Sequence, residues 1–372
     1  MAVIARYLAS QVLDDLLRKM VFVAGPRQVG KTTFARSLPE AAAGYLNWDA
    51  ASDRERILTG QLPPGDFWIF AEIHKYRQWR NHLKGLWDSR TPRRRVLVTG
   101  SGRLDLYRFS GDSLQGRYHL IRMHPFSVAE LGLSKPAETL DLLHLGGFPE
   151  PWLSGSEKLA RRWSREHRSR LVEDDMAGLE QIRSLGEMQL LMLSLPARVG
   201  SPLSVHSLAQ QLRVSHRTIS RWLDAAERLY AIFRVPPFGP NLVRAASKRA
   251  KHYHLDWTVV REDGFRFENL VACHLLKWVH WRQDTEGEDL DLHYFRDRDG
   301  REVDFVVSDG PRARLLVECK WGDSAISPGL RYLHRKFPEA AAWQISATGQ
   351  KDYQTADGIR VAPALVLLSK WV

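Results

Sequence analysis

Cysteine is nearly absent from this sequence: only Cys273 and Cys319 occur among its 372 residues. Because the two lie in unrelated contexts, a disulfide framework and a cysteine-based zinc site are both disfavoured. Long apolar runs are also missing. No stretch approaches the roughly eighteen apolar residues of a membrane span, and the N-terminus lacks the apolar core of a signal peptide. We therefore expect a cytoplasmic protein in a reducing compartment, without membrane contact.

The composition, with 44% hydrophobic and 26% charged residues, is that of a folded protein. A chain of 372 residues is long for one hydrophobic core, so we expect two or three domains. The net charge is +11, and the excess of basic residues lies in the first two thirds of the chain. This balance favours a polyanionic partner, most simply nucleic acid, although solvated arginine-rich faces give the same count.

Residues 25–32 read GPRQVGKT and match the phosphate-binding pattern G-x-x-x-x-G-K-[ST], between an apolar run and a helix-compatible segment. In that setting backbone N–H groups and the positive end of the helix dipole point at phosphate oxygens. Lys31 would reach the β- and γ-phosphates, and Thr32 would hold Mg²⁺. The sequence therefore predicts binding of ATP, since it lacks the guanine-specific N-K-x-D motif. The candidate nucleotide-binding residues are Gly25, Pro26, Arg27, Gln28, Val29, Gly30, Lys31, Thr32 and Thr33.

Hydrolysis of a nucleotide requires carboxylates at the end of a neighbouring strand. The apolar run 67–70 ends in Ala71 and Glu72, so an alanine stands where the Mg²⁺-binding aspartate belongs. Glu72 is the candidate catalytic residue. Three interpretations stay open: Glu72 serves alone, Asp49 at the end of the adjacent strand helps, or Mg²⁺ binding is impaired.

Two further residues are candidates for contact with the γ-phosphate. The strand 96–99 delivers the hydroxyl of Thr99 or Ser101 to the edge of the sheet where ligands bind. Arg117 lies in a Gly-flanked loop, which is typical of an arginine that reaches a phosphate or a neighbouring subunit of a homo-oligomer. Pairing of Arg117 with Asp112 is an equally good interpretation.

Three changes of pattern divide the chain. Residues 1–135 alternate strand and helix patterns, which predicts a parallel sheet with helices on both faces. Residues 136–199 read as a helical lid or linker, in which Arg161, Arg165 and Arg168 share one helix face. A solvated face and a binding face are both consistent with these arginines.

Residues 200–257 resemble a winged helix-turn-helix, with two short helical patterns around a turn at 213–215 and two strand patterns after them. In that fold the first turn of the second helix contacts DNA, and the basic segment 244–251 joins the wing strands. The same fold also serves as a packing module between domains. The candidate nucleic-acid-binding residues are Arg217, Arg221, Lys248 and Arg249.

Residues 258–372 carry acidic residues at spaced positions. Glu268 lies near the start of a helix pattern that begins at Phe267, Asp304 lies in one strand pattern, and Glu318 lies in the next. Glu318 and Lys320 are two apart, so they project from the same side of their strand. This set resembles the core of PD-(D/E)xK nucleases. The resemblance implies that Asp304 and Glu318 bind Mg²⁺ with Glu268 nearby, and that Lys320 orients the attacking water.

The whole chain resembles a widespread prokaryotic group of AAA+ ATPases with a C-terminal domain of unknown function and a nuclease-like fold. The motifs that carry the resemblance are GPRQVGKTT, Ile73-His74-Lys75 with Trp79, the TGS run, GDSLQGRYH, and His124-Pro125-Phe126-Ser127 with Glu130-Leu131. It implies an α/β fold with a P-loop AAA+ domain, a winged helix in the middle and a restriction-endonuclease-like end. Members usually carry Asp-Glu where this chain has Ala71-Glu72.

The first functional hypothesis is an ATP-dependent protein that acts on DNA, with ATP and Mg²⁺ as cofactors. The alternative is a nucleotide-controlled switch or scaffold, in which the C-terminal domain binds nucleic acid or protein without cleavage. A GTP-dependent regulator is disfavoured by the missing guanine motif. Cleavage and binding without cleavage are both open from the sequence.

Overall fold

The computed structural model describes residues 4–89, 94–100, 114–176, 185–239 and 250–371. The chain forms two compact units, Met1–His124 with Arg228–Tyr230, and Pro125–Glu227 with Ala231–Val372. The domain boundaries predicted after 135, 199 and 257 stay predictions, but residues 125–135 fold with the second unit. None of the described helices is long and apolar enough to cross a membrane.

The first unit contains a five-stranded parallel sheet with the strand order β2-β3-β4-β1-β5. All five residues of β1 and of β3 are buried, because their continuous apolar runs are covered on both faces. This confirms the predicted α/β fold with a parallel sheet. The strands are β1 (Met20–Ala24), β2 (Tyr45–Asn47), β3 (Phe67–Ala71), β4 (Arg95–Thr99) and β5 (Tyr118–Arg122).

Helices connect these strands, and the strand polarity brings the carboxyl ends of β1, β3 and β4 to one edge of the sheet. A 3₁₀ turn at Ile73–Lys75 follows β3. The helices are α1 (Ala9–Leu16), α2 (Lys31–Ser37), α3 (Ala41–Gly44), α4 (Ala51–Thr59) and α5 (Trp79–Asp88).

The second unit begins with helices, as predicted for its first part. A π-helical segment, Leu171–Met176, follows α8 directly. The helices are α6 (Pro136–Leu145), α7 (Pro149–Ser154), α8 (Glu157–Arg170), α9 (Leu185–Ser194), α10 (Val205–Leu212) and α11 (His216–Arg228).

Helices α10 and α11 are joined by a tight turn in which Arg213 adopts a left-handed conformation with φ 54°. The hydroxyl of Ser215 accepts a hydrogen bond of 3.0 Å from the backbone N–H of Thr218, which caps the start of α11. An antiparallel pair of strands follows, β6 (Ile232–Val235) and β7 (Lys251–His254).

The C-terminal part packs a long helix, α12 (Asp263–Glu286), against a six-stranded sheet with the order β12-β13-β11-β10-β9-β8. Strands β8, β9 and β10 are antiparallel, whereas β11 runs parallel to β10. Helix α12 begins at Asp263, one turn before the predicted start at Phe267. The remaining elements are β8 (Leu290–Arg296), β9 (Glu302–Asp309), β10 (Arg312–Lys320), α13 (Pro328–Lys336), β11 (Ala341–Ser346), β12 (Tyr353–Gln354), β13 (Arg360–Pro363) and α14 (Ala364–Leu368).

A buried ion pair anchors the segment before α6 to α12. The ammonium of Lys277 donates hydrogen bonds to a carboxylate oxygen of Glu130 at 2.6 Å and to the hydroxyl of Ser127 at 2.8 Å. Both charged side chains are 1% exposed. The neighbouring His274 accepts a hydrogen bond from the backbone N–H of Val128. The Ser127 to Glu130 part of the family-like motif therefore has a structural role in the second unit.

Candidate functional site

The phosphate loop connects the end of β1 to the start of α2. A Cβ added to Gly25 would lie 2.3 Å from the backbone oxygen of Met123, so only glycine fits at the close approach beside β5. Gly30 turns the chain into the helix with φ 98°, in the left-handed region. The loop thus has the backbone shape that its glycines predict.

Lys31, the first residue of α2, is buried and folds back over this loop. Its ammonium donates hydrogen bonds to the carbonyl oxygens of Gly25 at 3.0 Å and Pro26 at 2.6 Å. The adjacent Thr32 lies near the Tyr45 phenol, whose pKa is raised by burial and by the nearby Glu72 carboxylate although Arg36 lowers it. Lys31, Thr32 and Glu72 therefore face one region at the carboxyl edge of the sheet.

Glu72 follows β3 with φ 57°, and its backbone N–H donates to the carbonyl of Thr99 at 2.9 Å. Lys75 brings the two candidate carboxylates together, because its ammonium lies 2.6 Å from Asp49 and 3.6 Å from Glu72. Asp49 is therefore close enough to assist Glu72. Thr99 is buried at the end of β4, in register with Ala71 of β3. Ser101 lies outside the described residues.

The structure argues against a contact between Arg117 and a nucleotide bound to the same chain. Arg117 precedes β5, and its guanidinium is paired with Asp88 at 3.0 Å. Asp112 lies outside the described residues, so the pairing predicted with it stays a prediction. Because β1 and β5 are parallel, Arg117 lies at the edge of the sheet opposite the phosphate loop, roughly 16 Å away over five strand residues. A contact with a neighbouring subunit stays a prediction.

The candidate DNA-binding arginines lie on one exposed face of α11. Arg217 and Arg221 are four residues apart and exposed, while Ile219, Trp222 and Leu223 are buried on the opposite side. Two further candidates, Lys248 and Arg249, lie outside the described residues.

The structure brings Glu268, Asp304, Glu318 and Lys320 together, as predicted. Asp304 on β9 accepts a hydrogen bond of 2.8 Å from the backbone N–H of Cys319, and Lys320 donates one of 2.7 Å to Glu318 on the same strand. Glu268 reaches them from α12 and accepts a hydrogen bond of 2.6 Å from the Tyr253 hydroxyl.

A lysine that the sequence reasoning placed in the basic wing segment lies among these carboxylates. The ammonium of Lys251, on β7, is 2.6 Å from Glu302, 3.4 Å from Glu268 and 3.9 Å from Asp304. Its side chain is buried. We call Lys251, Glu268, Glu302, Asp304, Glu318 and Lys320 the acidic cluster.

Burial and mutual repulsion shape the ionisation of the acidic cluster. Burial raises the pKa of the Asp304 carboxyl well above its usual value, the charges of Glu268 and Glu318 raise it further, and Lys251 opposes them. Burial also raises the pKa of Glu318, against the effect of Lys320. Burial alone would lower the pKa of Lys251, but the surrounding carboxylates more than compensate and raise it.

Carboxylate oxygens are the ligands that Mg²⁺ prefers. Nevertheless, no group of three or more His, Cys, Asp and Glu within the described residues is arranged to hold a metal ion. The place between Glu268 and Asp304 is taken by the Lys251 ammonium. The acidic cluster as it stands therefore does not fit a divalent ion.

An open cavity of about 310 Å³ lies beside the acidic cluster. Its rim carries two aromatic side chains, Phe265 and Trp321, which are 42% and 39% exposed. We call it the acidic cavity. Its lining residues are Glu262, Gly264, Phe265, Glu268, Asp304, Cys319, Lys320 and Trp321.

Three family models match the chain. Residues 17–132 match an AAA domain, residues 137–261 match a domain of unknown function (DUF8612), and residues 263–367 match another (DUF4143). The first match spans the phosphate loop and all five parallel strands. The N-terminal part of the chain is therefore an AAA-type, P-loop ATPase-like domain, which confirms that part of the resemblance.

Two proteins of similar sequence are uncharacterized. One from Mycobacterium tuberculosis is 26% identical over 313 residues, which cover 77% of this chain and 70% of the relative. Another, from Methanocaldococcus jannaschii, is 24% identical over 278 residues, 68% of this chain and 60% of the relative. Neither relative's name gives an activity.

Two solved structures resemble the chain weakly. The Walker-type ATPase of Pyrococcus abyssi has a TM-score of 0.44 at 15% identity, covering 69% of this chain and 95% of its own. The Orc1 protein of Aeropyrum pernix in complex with DNA has a TM-score of 0.31 at 14% identity, with coverages of 71% and 90%. At these scores the two structures add nothing to the functional argument.

Proposed function

We propose that the protein is an AAA+ ATPase that binds ATP with Mg²⁺ at Lys31 and Thr32 and acts on DNA through its second unit. The observation that carries the proposal is the phosphate loop, in which Lys31 is held by loop carbonyls at the head of α2. Bound phosphates would replace those carbonyls as partners of the ammonium. Measuring ATP binding and phosphate release by the full chain, with and without DNA, tests the proposal. A chain that neither binds nor hydrolyses ATP under either condition would refute it.

The substitution Ala71→Asp tests how hydrolysis proceeds without the usual aspartate. If Ala71 occupies the Mg²⁺-binding position, a carboxylate there holds the ion through its waters and raises Mg²⁺-dependent turnover by roughly tenfold. Ala71→Asn is the matched control, because it adds the same bulk without charge. Equal turnover in both folded variants would show that Asp49 or Glu72 already performs this role.

Helices α10 and α11 with the β6–β7 hairpin support a winged helix-turn-helix, in which α11 is the recognition helix. The double substitution Arg217→Gln and Arg221→Gln should weaken duplex DNA binding. Each lost phosphate contact lowers the slope of log affinity against log salt by about 0.9. Fluorescence anisotropy at several salt concentrations measures that slope. Arg18→Gln with Arg56→Gln is the control, since it removes the same exposed charge elsewhere. An unchanged slope would assign α11 to packing between domains.

The order of elements from α12 to β11 supports a nuclease-like fold for the C-terminal part. It consists of a helix, three antiparallel strands, a second helix and a parallel strand. The convergence of Asp304, Glu318 and Lys320 also supports such a fold. The predicted binding of Mg²⁺ by Asp304 and Glu318 does not fit the acidic cluster while the Lys251 ammonium lies in it. The Lys251 ammonium favours the second candidate function, a nucleotide-controlled switch whose C-terminal part binds nucleic acid without cleaving it. Incubation with plasmid and linear DNA, with and without Mg²⁺ and ATP, separates the two candidates through strand breaks.

A further inference from the structure

A second, larger cavity lies next to the acidic cavity, and five arginines contribute to its lining. Its volume is about 600 Å³, and it shares Glu262 and Phe265 with the acidic cavity. Glu262 is its only acidic lining residue among those described. We call it the arginine cavity. Its lining arginines are Arg161, Arg165, Arg168, Arg261 and Arg266.

The arginines come from three separate segments. The first three lie on one face of α8 at spacings of four and three residues, Arg261 follows the 3₁₀ turn Trp257–Val259, and Arg266 lies in the first turn of α12. A solvated helix face would not require arginines from two other segments to converge on it. The convergence favours a binding role for the α8 face.

Three of these arginines have no ion-pair partner among the residues that the structure describes. Arg161 pairs with Glu157 and Arg266 with Asp263, each at 2.9 Å. By contrast, Arg165, Arg168 and Arg261 have no carboxylate within 4.0 Å in the described part of the chain. Asp256 is the carboxylate whose charge acts on Arg168. It already accepts hydrogen bonds from Ser164 and Thr258.

The converging positive charges favour an anion as the ligand of this set. Burial lowers the pKa of Arg168, and the charges of Arg165 and Arg261 lower it further against the opposing effect of Asp256. Unpaired guanidiniums that repel one another are stabilised by phosphate, which they bind through planar, paired hydrogen bonds.

The cavity also presents apolar surface next to the arginines. Leu193 is 57% exposed, and the ring of Phe265 is partly exposed at the wall shared with the acidic cavity. Exposed rings beside a row of guanidiniums form the combination that binds single-stranded nucleic acid, because bases stack on rings while phosphates contact cations.

We propose that the arginine cavity binds the phosphates of a single nucleic-acid strand and that Phe265 stacks on one of its bases, directing the strand towards the acidic cavity. This inference rests on the proposed action on DNA. It assigns a strand-binding role to α8 and to the start of α12, distinct from the duplex-binding role of α11.

The test is anisotropy of a labelled oligothymidine of about twelve nucleotides with the full chain over a range of salt. Arg165→Gln with Arg168→Gln should lower the slope of log affinity against log salt by about 1.4 and weaken binding about tenfold at physiological salt. Arg162→Gln with Arg170→Gln removes the same charge from α8 outside the cavity and should leave both values nearly unchanged. Arg165→Lys with Arg168→Lys should keep the slope.

Phe265→Leu separates stacking from charge. It should weaken oligothymidine binding at least about fivefold without changing the salt slope, and it should leave the binding of inorganic polyphosphate, which has no bases, unaltered. Circular dichroism on heating checks that each variant is folded.

Equal losses in the cavity and control variants, or an unchanged slope in the cavity variant, overturn the inference. If duplex binding through Arg217 and Arg221 persists in that case, the proposed function survives; if wild-type chain binds no DNA, both fail.

Discussion

Replacing Lys31 with alanine is expected to reduce ATP affinity by at least about a hundredfold. Charge-assisted hydrogen bonds to phosphate contribute roughly 1.5–3 kcal/mol each, and Lys31 is the cation that the loop itself holds in position. The substitution also leaves the carbonyls of Gly25 and Pro26 without their donor, so the empty loop loses part of its own order. Titration calorimetry with ATP and Mg²⁺ measures the effect.

Lys84→Ala provides the control for this experiment. Lys84 lies on α5, away from the loop in sequence, and its loss removes the same charge. The Lys84→Ala variant should bind ATP with the affinity of the unaltered chain. If Lys31→Ala binds ATP as tightly as Lys84→Ala does, the phosphate-loop assignment is wrong.

Replacing Lys251 with methionine is expected to lower the free energy of unfolding by about 3–5 kcal/mol, the usual cost of removing one partner from a buried ion pair. The reason is local: the carboxylates of Glu268, Glu302 and Asp304 would lose the ammonium that lies among them. Methionine keeps the length and apolar stem of the side chain, so the loss reports the charge. Urea unfolding at neutral pH measures it.

The same variant tests metal binding. Without Lys251, the acidic cluster has an uncompensated negative charge that a divalent ion can neutralise. Mg²⁺ or Mn²⁺ should therefore raise the melting temperature of Lys251→Met more than that of the unaltered chain, and adding Glu318→Gln should reduce this gain. Lys320→Met, which removes a partly exposed cation from the same cluster, is the comparison and should cost less. An unchanged stability of Lys251→Met would show that the lysine contributes nothing to the cluster.

Features formed by residues close together in the sequence could be predicted, and features formed by distant segments could not. The phosphate loop is contiguous, so its residue spacing already specifies the strand, turn and helix. Glu318 and Lys320 share a strand, and the alternation of side chains predicts that they face the same way. The position of Arg117 relative to the phosphate loop could not be predicted in this way, because it depends on the edge of the sheet at which β5 starts.

Lys251 and the arginine cavity could not be predicted for the same physical reason. Lys251 lies 17 residues before Glu268 and more than 50 before Asp304, and only the packing of β7 beside α12 and β9 brings its ammonium to them. Likewise, helical periodicity predicts that Arg165 and Arg168 share a face. Whether that face is solvated or lines a cavity depends on whether another segment, which carries Arg261, packs beside it.

The ion pair between Lys277 and Glu130 determines where this chain can be divided. A fragment that starts at residue 136, where the sequence pattern changes, would retain Lys277 at the centre of α12 but would lack the carboxylate and hydroxyl that satisfy it. An unpaired, buried ammonium would make such a fragment insoluble or poorly folded. A fragment that starts at Pro125 keeps Ser127, Val128 and Glu130 with their partners. Biochemical work on the second unit alone should therefore begin eleven residues earlier than the motif boundaries suggest.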